Sequence, residues 1–468
     1  MKSIDLLLIV AVFVSFILLI WLTLKKPSLG LAMLIFSLPV FGLSRRFFKG
    51  VMPYPSLETI AVIVVLCCTG LGRLKSADGK RRLNVKLEIA IWIFLSACLL
   101  SSVASKNPLL SLKILLAGGI VPMVCFLIAY RYAGSPDDIR NILYGFFGFA
   151  FFTLFYTIAG YINRVSTGVY GLELYKRLYN EAPVANLLIV SSVTVAVLVY
   201  AVPAAFWHRQ HGKRFRKILW PAVIAACLAT GILSFSRGSW SGLSVAFVAS
   251  FPLIFRKYRA SRAAFVFIIV AAIVIVYFAG YYKAPKEIVQ FRFSAPYAER
   301  GIQLRLSNYN LAIKSATKHY LWGVGLGQYK EVYEEFPDDP ASRGDPLWFA
   351  HSLFLTLIPE IGLIGALALL FFFLYILVTG LRRSFSSMDD EIGSLLYALI
   401  VGVISYLAVA LTSGAHLIAY LDNNAERTYF IAPALIATFI TLGCIAAICS
   451  RGVDKSRPSG TLLEKDVG

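Results

Sequence analysis

The sequence predicts an all-α protein, a polytopic transmembrane helix bundle of about 12–13 spans with one large extracytoplasmic loop. Of its 468 residues, 58% are hydrophobic and 15% are charged. The mean hydropathy of +0.74 excludes an ordinary soluble domain. Apolar runs of about 20 residues, enough to cross a bilayer core, recur along most of the chain. Residues 282–350 form the one long aqueous segment between such runs.

Each apolar run is a candidate span, and the runs define the domain organisation. The candidates lie near 5–24, 28–43, 55–72, 87–104, 109–130, 139–160, 184–206, 218–233, 239–255, 263–281, 352–380, 392–411 and 428–449. We therefore divide the chain into a bundle over 1–450, the inserted loop 282–350, and a disordered tail over 451–468.

The net charge of +20 raises the question of a nucleic-acid partner. Its distribution argues against one, because lysine and arginine concentrate in short loops such as 73–86 and 209–217. Such a bias marks the cytoplasmic side of membrane proteins. It places the tail in the cytoplasm and the loop 282–350 outside it. Membrane lipids are the expected surroundings.

The cysteines and histidines indicate neither a disulfide framework nor a metal site. All seven cysteines fall within apolar runs without CxxC spacing, so we interpret them as small buried hydrophobes. The five histidines show no metal-ligand spacing, and no Asp-x-Asp motif occurs in an outside loop. No metal or other cofactor is expected.

The loop 282–350 has a helical pattern and a division of charge. Ile302, Leu306, Tyr309 and Ile313 recur at helical spacing, which predicts an amphipathic helix over 299–318 that lies on the bundle. Residues 282–318 hold seven basic and two acidic side chains, whereas 319–350 hold two basic and six acidic ones. The first half therefore suits an anionic ligand. The acidic half is equally compatible with an ordinary solvated surface.

Arg237 stands in a very short connection between two spans. An arginine there costs desolvation free energy unless it snorkels or pairs with an anion. Ser236 and Gly238 supply a hydroxyl group and a flexible backbone beside a guanidinium that can hold phosphate oxygens bidentately. The alternative is an interfacial arginine that anchors a helix end.

Three further features lie in the loop or directly after it. Arg305 lies on the predicted helix, beside its apolar face; the alternative is a surface arginine. His351 opens a span at the water–lipid boundary, where it can act as a general base near neutral pH or serve only as an interfacial polar group. The cluster Gly323-x-Gly325-x-Gly327 has no preceding strand, so it indicates a tight turn and not a nucleotide site.

These motifs together resemble the O-antigen ligase/polymerase superfamily. They are Ser236-Arg237-Gly238, Arg305 on a loop helix, Gly323-Val-Gly-Leu-Gly-Gln-Tyr329, Ala350-His351-Ser-Leu-Phe-Leu and Glu360-Ile-Gly-Leu-Ile-Gly365, within residues 230–365. Two positions depart from the family pattern. Tyr320 follows His319 where the family often has proline, and Ser352 follows His351 where it often has asparagine.

The resemblance implies a GT-C-like, metal-independent, inverting glycosyltransferase in the bacterial inner membrane, with its active site facing the periplasm. The donor would be a glycan on undecaprenyl pyrophosphate, and the acceptor a sugar hydroxyl of lipid A–core. Arg237 and Arg305 would stabilise the leaving pyrophosphate, and His351 would be the general base. Ser236, Gly238 and Ser352 complete the substrate-binding set.

Three alternatives remain open at this point. A polymerase would use another lipid-linked glycan as acceptor, and a protein O-oligosaccharyltransferase would use a protein. A lipid-linked glycan transporter is disfavoured, because the polar residues of interest cluster at one face and no internal repeat is visible. The residues do not identify the sugar repeat or the acceptor.

Overall fold

The protein is a polytopic helical bundle, as predicted. The computed structural model describes residues 3–44, 57–73, 83–133, 135–166, 168, 241–242, 244–246, 248–252, 295–342, 350, 352–388, 391–413, 418–421, 428–431 and 433–454. Its described helices are α1 (Ser3–Lys25), α2 (Pro27–Ser44), α3 (Leu57–Arg73), α4 (Val85–Ala104), α5 (Pro108–Ile114), α6 (Val121–Tyr132), α7 (Pro136–Ser166), α8 (Ala295–Lys318), α9 (Tyr329–Glu335), α10 (Leu353–Ser386), α11 (Glu391–Ser413) and α12 (Pro433–Asp454). A π-helical segment, Leu115–Ile120, joins α5 to α6.

Four of the described helical stretches are long and apolar enough to cross a membrane. They are Val85–Ala104, Pro108–Tyr132, Leu353–Ser386 and Ile392–Leu411. Shorter apolar helices occupy Ile9–Lys25, Pro27–Phe41, Leu57–Gly70 and Leu435–Ser450. The predicted runs up to residue 160 and those at 352–380 and 392–411 each correspond to described helices. The runs 184–206, 218–233 and 263–281 lie outside the described residues, and 239–255 is described in part.

The predicted final span, 428–449, begins later than the hydropathy indicated. Thr428–Ile431 is a strand, β2, which pairs antiparallel with β1 (Ile418–Leu421). The sequence Thr-Tyr-Phe-Ile is rich in β-branched and aromatic residues, which favour strands. Pro433 then begins α12, a position that proline tolerates because the first helical N–H has no intrahelical partner. Hydropathy alone does not separate a short apolar strand from a helix.

The core lies where α6, α10 and α12 meet, and α4 packs along α10 beside it. Phe372 links the three helices, because its ring contacts Phe126 edge-on, with centroids 4.9 Å apart, and stacks on Phe439. Gly443 lets α12 approach α6, since a Cβ there would overlap the Phe126 carbonyl. Close approach at small residues is how helices gain packing contacts inside a bilayer.

The cysteines mostly follow the expectation from sequence. Cys68, Cys98, Cys125 and Cys444 are buried, but Cys67 is exposed on α3, so the buried interpretation was wrong for that residue. The apolar Leu66 beside it is exposed as well. This face of α3 suits contact with lipid.

Candidate functional site

The loop helix α8 contains the predicted helix 299–318, but it packs through a different face. Ile302, Leu306 and Ile313 are each more than half exposed. The buried side chains are those of Asn308, Leu311, Ala312 and Ser315. They face α9 and α10. Of the apolar stripe that predicted the helix, only Tyr309 packs against this cluster among the described residues.

Asn308 explains which face is buried. Its side-chain oxygen accepts a hydrogen bond from the Tyr333 hydroxyl, and its backbone carbonyl accepts one of 3.3 Å from the Tyr329 hydroxyl. Buried polar groups need such partners, so these bonds fix the rotation of α8 against α9. Arg305, partly exposed, lies one turn before Asn308. The structure thus places Arg305 next to the side of α8 that packs on the rest of the protein.

The acidic half of the loop is paired with lysines and a histidine. Asp339 binds Lys314, and His319 Nε2 lies 2.7 Å from Glu335 Oε2, with Lys318 Nζ at 3.5 Å. The two lysine pairs join the basic half of the loop to the acidic half. Lys314 and Lys318, from the half that suits an anion, are therefore each paired with a carboxylate within the loop.

Burial alone would raise the pKa of Asp339. Hydrogen bonds from Lys314 and from the Ala341 backbone N–H outweigh burial and hold that pKa below its usual value. Lys106, in the turn after α4, binds Glu331 of α9, which raises the pKa of Lys106. The lowered pKa of Asp339 and the raised pKa of Lys106 both favour the charged form of these two groups at neutral pH. The two pairs hold the loop together and attach it to the bundle.

The glycine cluster forms the predicted turns and docks into a break in α10. Gly323, Gly325 and Gly327 have φ of 71°, 118° and 74°, values that favour glycine. Inside α10, Gly362 also leaves the helix, at φ 76° and ψ 168°. A Cβ on Gly323 would overlap the Glu360 carbonyl, and one on Gly362 would overlap that of Leu321.

Backbone hydrogen bonds fill the break. Pro359 has no N–H to continue the helix. Its own carbonyl accepts the Val324 N–H at 2.8 Å, and the next carbonyl, of Glu360, accepts the Gly325 N–H at 3.0 Å. Beyond the break, the Leu363 N–H donates to the Tyr320 carbonyl at 2.8 Å. Two carbonyl groups and one N–H group at the break in the helix thus find their partners in the loop.

Glu360 holds the end of this turn. Its side chain is 4% exposed, and its carboxylate accepts the backbone N–H groups of Gly327 and Tyr329. The Ser101 hydroxyl of α4 donates to its backbone carbonyl. In the sequence, Glu360 stands out only as the first residue of the motif Glu360-Ile-Gly-Leu-Ile-Gly365. A carboxylate inside an apolar run was the available signal, since such residues in spans are rare and have specific partners.

Ser352, a predicted substrate-binding residue, is the N-cap of α10 and is 4% exposed. Its carbonyl accepts both the backbone N–H and the hydroxyl of Thr356, at 2.9 and 2.8 Å. The Thr356 oxygen in turn accepts the Ala350 N–H at 3.1 Å. Thr356 could not be predicted from the sequence, because a threonine in an apolar helix carries no distinctive signal.

Two of the predicted site residues lie within the described part of the chain. Arg305 and Ser352 belong to elements that pack together, α8 and α10. Arg237, Ser236, Gly238 and His351 lie outside the described residues. Within the described ranges, no three histidine, cysteine, aspartate or glutamate side chains are grouped so that they could hold a metal ion.

Along the sequence, the predicted connection with Arg237 is followed by the helix with Arg305, the glycine turn, His351 and the broken helix α10. Residues 222–370 match the family model for O-antigen ligase. The O-antigen ligase match includes all of these parts and confirms the resemblance inferred from the motifs. No curated protein was found to match the chain.

The O-antigen ligase match supports an O-antigen ligase- or polymerase-like function in general. It supports an enzyme of the glycosyltransferase type that uses lipid-linked glycans. Together with the apolar helices, it indicates a multi-pass membrane protein.

Proposed function

We propose that this protein transfers a glycan from undecaprenyl pyrophosphate to a sugar hydroxyl of lipid A–core. The observation that carries the proposal is the O-antigen ligase match at 222–370, which contains Arg237, Arg305 and His351. The reaction would occur at the periplasmic face of the bacterial inner membrane. The concentration of lysine and arginine on the side of the tail supports this orientation.

In the proposed reaction the acceptor hydroxyl attacks the anomeric carbon of the donor glycan. The bond between that carbon and the phosphate oxygen breaks, and its electron pair leaves with the pyrophosphate. His351 takes the proton of the attacking hydroxyl. Attack opposite the leaving group inverts the anomeric centre. Arg237 and Arg305 stabilise the charge that develops on the pyrophosphate.

The geometry of the guanidinium group supports assigning the pyrophosphate to the arginines. A guanidinium can hold two phosphate oxygens at once, which an ammonium cannot. Ser236, Gly238 and Ser352 remain proposed contacts of the substrate.

A transfer assay with purified protein in nanodiscs tests the proposal. The donor is a defined glycan on undecaprenyl pyrophosphate, offered with either lipid A–core or a second lipid-linked glycan. We expect transfer to lipid A–core, and a loss of about 10²–10³-fold in rate for Arg237→Ala and Arg305→Ala. His351→Ala should lose about 10²–10⁴-fold.

Two further variants test how specific these losses are. Arg237→Lys keeps the charge but not the bidentate geometry, so we expect about a tenfold loss or more. Lys330→Ala removes a cation of α9 that pairs with Glu334 within the same helix, and should transfer at the wild-type rate. A wild-type rate in Arg237→Lys would favour the anchoring role of this arginine.

The family match is equally compatible with a ligase and with a polymerase. The acceptor that the protein uses in the assay distinguishes the two. Extension of the lipid-linked glycan without transfer to lipid A–core would make the protein a polymerase. Full activity of the triple alanine variant would refute the assigned chemistry altogether.

A further inference from the structure

We propose that Thr356 is a positioning residue that holds the backbone on both sides of His351. This inference rests on the proposed function, in which His351 is the general base. It concerns a residue that does not touch the substrate and acts through its neighbour in the chain.

The Thr356 hydroxyl connects the residues before and after position 351. It accepts the Ala350 N–H at 3.1 Å and donates to the Ser352 carbonyl at 2.8 Å. A hydroxyl group has one donor and two acceptor sites, so both bonds form at once. All three residues are buried, with exposures of 7% or less. Water therefore does not replace these bonds when they are lost.

A second contact region fixes the other end of this short helical segment. Helix α10 begins at Leu353 and departs from helical geometry at Gly362. An isolated helix of about two turns is marginal in water, so its position depends on tertiary contacts. The glycine turn supplies them after Pro359. At the start of the segment, Leu353 and Leu357 are each 1% exposed, and the Thr356 hydroxyl adds the directional bonds.

The bond from Ala350 distinguishes Thr356 from an ordinary helical threonine. Many buried threonines return a hydrogen bond to the carbonyl four residues earlier. Thr441 in α12 does so, at 2.8 Å from the Ala437 carbonyl, and is 8% exposed. Thr356 makes the same bond and, in addition, accepts an N–H from outside the helix. Thr441 is therefore a matched control for the loss of a buried helical hydroxyl.

The proposed effect of this arrangement is on the rate of proton transfer. A general base has to lie within hydrogen-bond reach of the proton it removes. Misplacement by about 1 Å can cost about 10²-fold in rate. Holding residues 350 and 352 limits the backbone positions open to residue 351. Removal of the Thr356 hydroxyl should therefore lower kcat more than it raises the KM for the donor.

The test compares Thr356→Val, Thr356→Ser and Thr441→Val in the nanodisc transfer assay. Valine has nearly the shape of threonine but lacks the hydroxyl, whereas serine keeps the hydroxyl. We expect Thr356→Val to lower kcat by about 10–100-fold, with the donor KM changed by less than about threefold. Thr356→Ser should retain kcat within about threefold, and Thr441→Val should match the wild type.

A double-mutant cycle with His351→Ala shows whether Thr356 acts through His351. If it does, Thr356→Val should cause no further loss in the His351→Ala background. A multiplicative further loss would indicate a general structural defect and overturn the inference. If the valine variant does not reach the membrane, Thr356→Ala takes its place in the same cycle, and Thr356→Ser still has to retain activity.

The outcomes separate the inference from the proposed function. A wild-type kcat in Thr356→Val, together with an inactive His351→Ala, overturns the inference and leaves the proposed base intact. Full activity of His351→Ala overturns the proposed base and, with it, the inference. Equal losses of kcat in Thr356→Ser and Thr356→Val would show that the effect does not depend on the hydroxyl group. This result would also overturn the inference.

Discussion

Gly323 and Gly362 mark the place where two backbone segments meet without side chains between them. The glycine cluster indicated a tight turn in the sequence, and its positive φ angles confirm that turn. Its partner, the break in α10, was not predicted. Contact between backbones produces no pattern of apolar or charged side chains, so the sequence carries no periodic signal for it.

Substitution of Gly362 should destabilise the protein specifically at this contact. In Gly362→Ala the new Cβ would overlap the Leu321 carbonyl, at a residue with φ 76°. We expect a loss of about 1–3 kcal/mol in the free energy of unfolding from backbone strain alone. Thermal unfolding of the purified protein in detergent measures it.

Gly70→Ala is the matched control for this variant. Gly70 lies in α3, and a Cβ there would have nothing within 4 Å. Alanine favours the helix over glycine by about 0.5–1 kcal/mol, so this variant should melt at or slightly above the wild-type temperature. Equal melting temperatures for the two alanine variants would contradict the close contact at Gly362.

Helix α8 shows what can be predicted for a whole element. Its existence and its end near Lys318 followed from the helical spacing of Ile302, Leu306, Tyr309 and Ile313. Its buried face did not, because periodicity weights apolar side chains without regard to their neighbours. Asn308 decides the rotation through hydroxyl groups of Tyr329 and Tyr333, which belong to another helix.

Two alanine variants on α8 distinguish the face that packs from the face that predicted the helix. Leu311 is fully buried in a cluster with Tyr329 and Val332, whereas Ile313 is 55% exposed. We expect Leu311→Ala to lower the free energy of unfolding by about 2–5 kcal/mol. Ile313→Ala should change it by about 0.5 kcal/mol or less. Thermal unfolding under identical detergent conditions compares them, and the reverse order would show that the predicted face is the one that packs.

At the scale of the whole molecule, the distribution of lysine and arginine predicts the orientation in the membrane. It predicts that Asn310→Cys, at an exposed position of α8, reacts with a membrane-impermeant maleimide in intact spheroplasts. Ser459→Cys in the tail should react only after permeabilisation. The parent protein needs its own cysteines replaced first, because Cys67 is exposed. Labelling in the opposite order would invert the orientation and remove the proposed active site from the periplasm.

The sequence by itself determined the helical membrane bundle, its long loop and the candidate residues Arg237, Arg305 and His351. Hydropathy and charge bias reflect the preference of each side chain for water or lipid. This preference is a property of the residue type and does not depend on the fold. The tertiary structure decided which face of α8 is buried, where α10 breaks, and which groups Glu360 and Thr356 bind. These features depend on hydrogen bonds whose partners are chosen by the fold. Most of them involve a backbone N–H or carbonyl group, and such groups occur at nearly every residue and leave no trace in composition.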